Sequence, residues 1–494
     1  MKVGRGKQIA VGVVVLALAA GCGSRIEEAR VQAAGNGPGT GLPNVASSTG
    51  DAPLPNGAVD SSGTGATTPG GIAAGPAASA APGPAVAGGQ PAVAASASAV
   101  PGKSAGNGAK PGGVAASGSA PCTAQGPPIV IGQTGVFSGV IGQSTGGIRS
   151  GLAAWAAMIN KAGGLACHPI QLFQMDDGSD PSRTAANTQT LIEQKKAVAI
   201  VGANVPVTTA AFRSVIAKFK VPAIGGDLVT PDWNEDPLMF PQGGTAYATN
   251  LGGVKAMAQL TGKKKVGIAY CVEASACQYV AKSIQDPKGS ADAGIQVVTV
   301  QQISLTQTDF TSTCQNMKNA GAEAIATAMD SASLTRLARS CAAIGYEVPI
   351  WAVSLSISST LVSDKQLNKI GLFAGAPNSP FMLTNTAAEK EFQQSLANFV
   401  PGAIPDAPTM AGWAAGKLFQ AAIEGLGTAA RTEALTPARV MDGVWTLKNE
   451  TLGGLAPPLT YPKGKPTPAV NCFYAFKMSG GAFSAPFGNK VQCL

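Results

Sequence analysis

IVIGQTGVFSGVIGQSTGGIRSGLAAWAAMINKAGGLACHPIQLFQMDDGSDP, from Ile129 to Pro181, reads as one complete strand–helix–strand unit. The run Ile129–Gly135 is apolar and short enough for a buried strand. From about Gly147 to Ala162, a helical spacing puts Ile148, Leu152, Trp155, Ala156 and Ile159 on one face, and Gly163-Gly164 stops it. A second strand follows in IQLFQMD. Two apolar strands joined through an amphipathic helix are the building block of a parallel α/β sheet.

The unit ends on three aspartates, Asp176, Asp177 and Asp180. Their spacing does not suit a calcium loop, which needs acids at alternating positions and a distant glutamate. A pair of hydrolytic carboxylates is the chemical alternative. The plainer reading uses Asp180 as the cap of a helix whose first residue is Pro181. Asp176 and Asp177 then close the strand at its carboxyl end.

Working outward, the same grammar repeats. AVAIVGA (Ala197–Ala203) leads to the helix AAFRSVIAKFK, and VPAIGGD leads to LVTPDW. A helix NLGGVKAMAQL precedes KVGIAY, after which VVTVQQI, AEAIATAMD and VPIWAVS continue the rhythm. Two successive runs of domain size predict two similar doubly wound α/β lobes. Ligands of open α/β sheets gather outside the carboxyl ends of the strands, so facing lobes would share a cleft.

Ahead of this folded part the chain has a different character. A basic stub (Lys2, Arg5, Lys7) and a short apolar run end in LAAGC at Cys22, which reads as an export leader over residues 1–21. LAAGC resembles a bacterial lipobox, whose cysteine is lipidated and becomes the new N-terminus. An ordinary secretory leader and a single membrane anchor are the alternatives. From about Ala33 to Pro121, Gly, Ala, Pro, Ser and Thr dominate, which predicts a disordered tether within residues 22–121. About 90 residues of flexible coil span roughly 50 Å. Losing the leader takes the formal charge from +8 to +5, and no basic patch is interleaved with aromatics, so nucleic acid is not an expected partner.

Nine cysteines become eight if Cys22 carries lipid. An even set in an exported chain suggests disulfides, with sequence neighbours as the economical pairing: Cys122–Cys167, Cys271–Cys277, Cys314–Cys341 and Cys472–Cys493. With His168 the single histidine, expected to face solvent in a turn before Pro169, neither a metal site nor a cofactor is expected.

From about Pro128 to the C-terminus the chain resembles the branched-chain amino-acid type of periplasmic solute-binding protein, the two-lobed type I receptor of ABC transporters. The likeness is carried in order by Gly132–Pro181, LIEQKKAVAIVG, KVPAIGG, GLFAGAPNSPF, PPLTYPKG and CFYAFKMSGGAF. It implies lobes joined by three crossing segments: residues 122–246 and 377–452 form the first lobe, 247–376 and 453–494 the second. It implies a monomer that captures a small polar solute, a branched-chain amino acid or a related amino acid or amide, and delivers it to a membrane permease. With the lipobox it implies anchoring at the outer face of the cell membrane.

The contact positions are not those of an amino-acid binder throughout. Pro206 stands at about the place where the resemblance puts a ligand-binding serine, with Thr208 and Thr209 nearby. Asp227 lies where a backbone contact is implied, and a carboxylate there would repel an acid. The candidate ligand contacts are Ser138, Thr208, Asp227, Tyr247, Tyr270, Asp330, Trp351 and Ser354. For Tyr247, Tyr270 and Trp351 the alternative is packing; for Asp330 it is a helix cap before SASLTRLARS. A sensory receptor ectodomain of the same fold is the competing function. An enzyme is not expected: with a single histidine, in a turn, the chain supports no Ser/His/Asp triad.

Overall fold

The computed structural model describes Cys122 and residues 125–494. The leader, Cys22 and the expected tether lie outside the described residues. Five strands, β1 (Ile129–Gly135), β2 (Ile170–Asp176), β3 (Ala199–Ala203), β4 (Ala223–Gly226) and β5 (Met239–Phe240), form a parallel sheet in the order β2-β1-β3-β4-β5. A second sheet begins with β6 (Lys265–Cys271), β7 (Gln296–Ile303), β8 (Ala324–Ala328), β9 (Ile350–Ala352) and β10 (Leu372–Ala376), all parallel in the order β7-β6-β8-β9-β10. The second sheet thus repeats the strand order of the first. It is extended past β10 by the antiparallel strands β11 (Cys472–Ser479), β12 (Ala482–Ser484) and β13 (Gln492–Cys493). The protein is an α/β fold of two lobes.

In each lobe the chain leaves the first strand for one edge and returns past it to the other side. The loops after β1 and β3, and those after β6 and β8, therefore diverge at the carboxyl ends of neighbouring strands. That divergence is where an open α/β sheet leaves room for a ligand.

The opening helix forms as its sequence predicts, over Gly147–Lys161, and Gly163 and Gly164 end it with φ of +101° and +94°. Its apolar face is covered from far along the chain. Helix Ala407–Glu424, which follows β10 in sequence, packs across it at two glycines. A Cβ added to Gly151 would stand 1.9 Å from the Thr409 carbonyl oxygen, and one on Gly412 would stand 2.0 Å from that of Ile148. Beyond the crossing, Trp155 meets Phe419 edge-on and its indole N–H donates to Gln420 Oε1 at 3.3 Å.

The segments linking the sheets meet at one place. Gly244 N–H donates to the Pro377 carbonyl at 3.2 Å, and Thr245 N–H to that of Val470 at 3.0 Å. A Cβ on Gly244 would stand 1.8 Å from the Cys472 carbonyl oxygen. Three stretches of main chain are in contact here, with no room for a side chain.

All four expected disulfides are formed: Cys122–Cys167, Cys271–Cys277, Cys314–Cys341 and Cys472–Cys493. His168 corrects an expectation: it is buried, not solvent-facing, with Nδ1 2.7 Å from the Pro127 carbonyl oxygen. The cause is the first disulfide's neighbourhood. The strand entering β1 folds back over the turn, Gly126 N–H donating to the Cys167 carbonyl at 2.9 Å, and covers the ring.

Gly151→Ala tests the helix crossing. Alanine's better helix propensity favours the variant by roughly 1 kcal/mol, but its methyl would overlap a backbone carbonyl that cannot turn aside. A net loss of about 1–3 kcal/mol in unfolding free energy is expected by urea denaturation.

Candidate functional site

The loop after β1 is shaped by the aspartate that ends β2. Asp176 Oδ1 accepts the N–H of Phe137 at 2.9 Å and of Gly178 at 3.0 Å. Asp177 is fully buried: Oδ1 accepts Ser179 N–H and Oδ2 the Thr184 hydroxyl, each at 2.8 Å. Asp180 accepts Arg183 N–H at 2.8 Å as the cap of helix Pro181–Gln189, with Pro181 in its first turn. All three are structural, as the plainer reading of the sequence has it. Asn204, after β3, donates to the Val136 carbonyl and to the Thr145 hydroxyl oxygen, both at 2.8 Å. The two loops at the first switch point are thereby joined.

Opposite them, Cys271 at the end of β6 is bonded to Cys277 in the first turn of helix Ser275–Gln285. Between the lobes lies a cleft of about 570 Å³, counted out to its open mouth. The first lobe lines it with Ile141, Ser144, Thr145, Pro206 and Val229. The second lobe contributes the Cys271–Cys277 disulfide, Ala276, Val280, Leu305, Met329 and Asp330, and Val353, Leu355 and Ser356 follow β9. Its surface is mostly apolar. At the cleft a direct bond joins the two walls: Ser331 N–H donates to Ser144 Oγ at 2.8 Å, while Ser331 Oγ donates to the Ser356 carbonyl at 2.6 Å.

Of the eight candidate contacts, Asp330 lines this cleft, where it also caps helix Ser331–Ala343. Asp227 and Ser354 line a smaller cavity behind Leu355. Both Asp227 oxygens have donors: Val205 N–H at 2.8 Å, Trp233 Nε1–H at 3.0 Å and Val229 N–H at 3.3 Å. Thr208 is buried with its hydroxyl 3.5 Å from Asp177 Oδ2. Ser138 is exposed beside Asp176. Tyr247 donates to Asp286 at 2.7 Å, and its hydroxyl is pushed up to about 12 by burial and by that carboxylate. Tyr270 accepts from Gln302 at 2.8 Å, and Trp351 is fully buried in the core of the second sheet. The readings of the sequence did not single out Ser144, Thr145, Leu355 or Ser356. Ser144 and Thr145 follow β1 at the switch point, a positional signal that could have found them.

The sequence profile described as periplasmic binding protein matches residues 128–482. The chain belongs to that family. Solved structures similar to this periplasmic binding protein share its fold at low identity. One is a solute-binding protein of an ABC transporter from R. palustris in complex with benzoate: 17% identity, TM-score 0.59, covering 73% of this chain and 95% of the other. A fatty acid ABC transporter substrate-binding protein from Thermomonospora curvata has 19% identity and TM-score 0.61, over 73% and 93%. A possible leucine/isoleucine/valine-binding protein from Rhodopirellula baltica has 15% identity and TM-score 0.62, over 74% and 98%. No curated protein sequence matches significantly. Among the described residues of this binding protein, no group of three or more His, Cys, Asp or Glu is placed to hold a metal, and no helix is long and apolar enough to cross a membrane.

Burial pushes the Asp227 carboxyl from 3.8 up to about 6, its three donors offsetting only part of that. A carboxyl with a raised folded-state pKa binds more protons folded than unfolded. Its contribution is complete below about pH 4 and is lost as pH rises through about 6. For Asp227 the loss amounts to about 3 kcal/mol at most, at 1.36 kcal/mol per unit. Urea titrations at pH 4 and pH 7 should show the wild type losing stability between them, and Asp227→Asn losing less.

Proposed function

We propose that this protein is the extracytoplasmic receptor of an ABC transporter, acting as a monomer that encloses a small solute between its lobes and passes it to a membrane permease. Lipid on Cys22 and the stretch to Pro121 would hold it at the membrane surface with room to reach. The observation that carries this reading is the cleft itself. It sits at both topological switch points and draws its walls from both lobes, the place where a hinged pair of lobes buries a ligand.

The lining narrows the solute. Ile141, Val229, Val280, Leu305, Met329 and Leu355 supply apolar surface on several sides, so an apolar body gains from transfer out of water. A branched-chain amino acid or an amide with an apolar body meets that condition, and a strongly polar solute does not. The similar structures point the same way, since the benzoate, fatty acids and leucine, isoleucine or valine for which they are named all carry an apolar portion.

The full chain should show a raised thermal midpoint with one or more members of a panel of amino acids, amides and small aromatic and aliphatic solutes. A ligand at 100 times its Kd adds about 2.7 kcal/mol; a panel that leaves the midpoint unmoved would sink the receptor reading. For a solute that binds, Ser144→Ala removes a hydrogen bond that joins the two walls of the cleft. It should raise Kd by roughly 2- to 10-fold, the worth of one net hydrogen bond, measured by calorimetry.

A further inference from the structure

The cleft also has a definite charge. Among its lining side chains the one ionisable group is Asp330; no lysine, arginine or histidine is among them. Asp330 is 4% exposed. Its Oδ1 accepts the N–H groups of Ala332 at 2.9 Å and Ser333 at 3.1 Å, and its Oδ2 accepts the Ser333 hydroxyl. These donors hold the carboxylate in place without bringing a full positive charge. Arg336, one turn further, donates to Ser333 Oγ at 2.7 Å and to the carbonyls of Leu305 at 2.8 Å and Gln307 at 3.1 Å. Its donors serve the backbone beneath the wall.

Other sources of positive potential are weak. Helix Ser275–Gln285 starts in the wall with no side-chain cap and offers about half a charge, against a whole one on Asp330. On the first lobe Pro206 has no N–H, and the Thr145 hydroxyl donates to the Ile141 carbonyl at 3.2 Å. An anion entering here would exchange water for apolar walls with a carboxylate as its charged neighbour. An amide or amine N–H would instead find a carboxylate oxygen with capacity to accept.

Resting on the receptor reading, we infer that the cleft selects solutes with an apolar body and no net negative charge and rejects anionic carboxylates, and that Asp330 is the residue that enforces this. The protein then differs in ligand charge from the benzoate complex whose fold it shares.

Two matched sets test it by calorimetry on the full chain at neutral pH: benzoate, benzamide and benzylamine, and hexanoate, hexanamide and hexylamine. In whichever set binds, the amide or amine should bind at least about 10-fold more tightly than the carboxylate. Asp330→Asn keeps the helix cap and should narrow that gap, chiefly by improving the carboxylate. Val229→Lys, which places a cation in the wall, should reverse the order without touching the cap. A carboxylate bound as tightly as its amide by the wild type overturns the inference and leaves the receptor reading standing. A gap unchanged in Asp330→Asn overturns the role of Asp330. Binding of none of the six, amides and amines included, overturns the inference, while the receptor reading stands or falls on the wider thermal-shift panel.

Discussion

The crossing of helix Ala407–Glu424 over helix Gly147–Lys161, with Gly151 and Gly412 at the contact, is the constraint on which the two-lobed form depends. The first lobe lacks part of its core until the chain has built most of the second sheet and come back. Trp155, Phe419, Trp413 and Phe392 are buried only through that return. Backbone-to-backbone approach at two glycines lets the helices seat closely enough to bury these rings. Because each lobe is assembled from separated segments, the lobes are tied by several strands of main chain rather than by one linker. Relative motion is then confined to the place where those strands touch, around Gly244, Pro377 and Val470.

That tie explains why the cleft has so few polar groups and yet a defined shape. Its walls are loops at strand ends, and the carboxylates that shape those loops are bonded within their own lobe. Asp176 and Asp177 hold the loops of the first lobe, Asn204 joins them, and Asp330 serves its own helix. What remains facing the cleft is largely aliphatic. The arrangement follows the general cost of leaving buried polar groups unpaired: loops that fix themselves with their own carboxylates have little polarity left for a ligand.

The parts of the fold legible in the sequence were those governed by local rules. Strand periodicity, the Asp180-Pro181 helix start, the Gly163-Gly164 stop and the neighbour pairing of cysteines all depend on residues close in the chain or on simple parity. The site was less legible because its geometry depends on contacts between distant segments. Asp227 looks like a cleft carboxylate until Trp233, six residues on, folds over and donates to it. His168 looks exposed until the segment before β1 covers it. Leu355 gains its place from a short turn after β9 that carries no recognisable motif. Asp330 is the helix cap that the sequence allowed for, and its position at a switch point also puts it in the cleft wall.

The Cys271–Cys277 bond has a consequence for how the cleft can empty. It staples the end of β6 to the first turn of the helix that forms one wall, so that wall is pre-organised and little ordering entropy is lost when something settles against it. The same staple denies the wall any means of loosening locally, and the bonded loops of the first lobe deny it to the other side. Under the receptor reading, release is then a matter of one lobe swinging from the other rather than of this wall loosening. The timing of release therefore belongs to the hinge, and to whatever grips both lobes from outside.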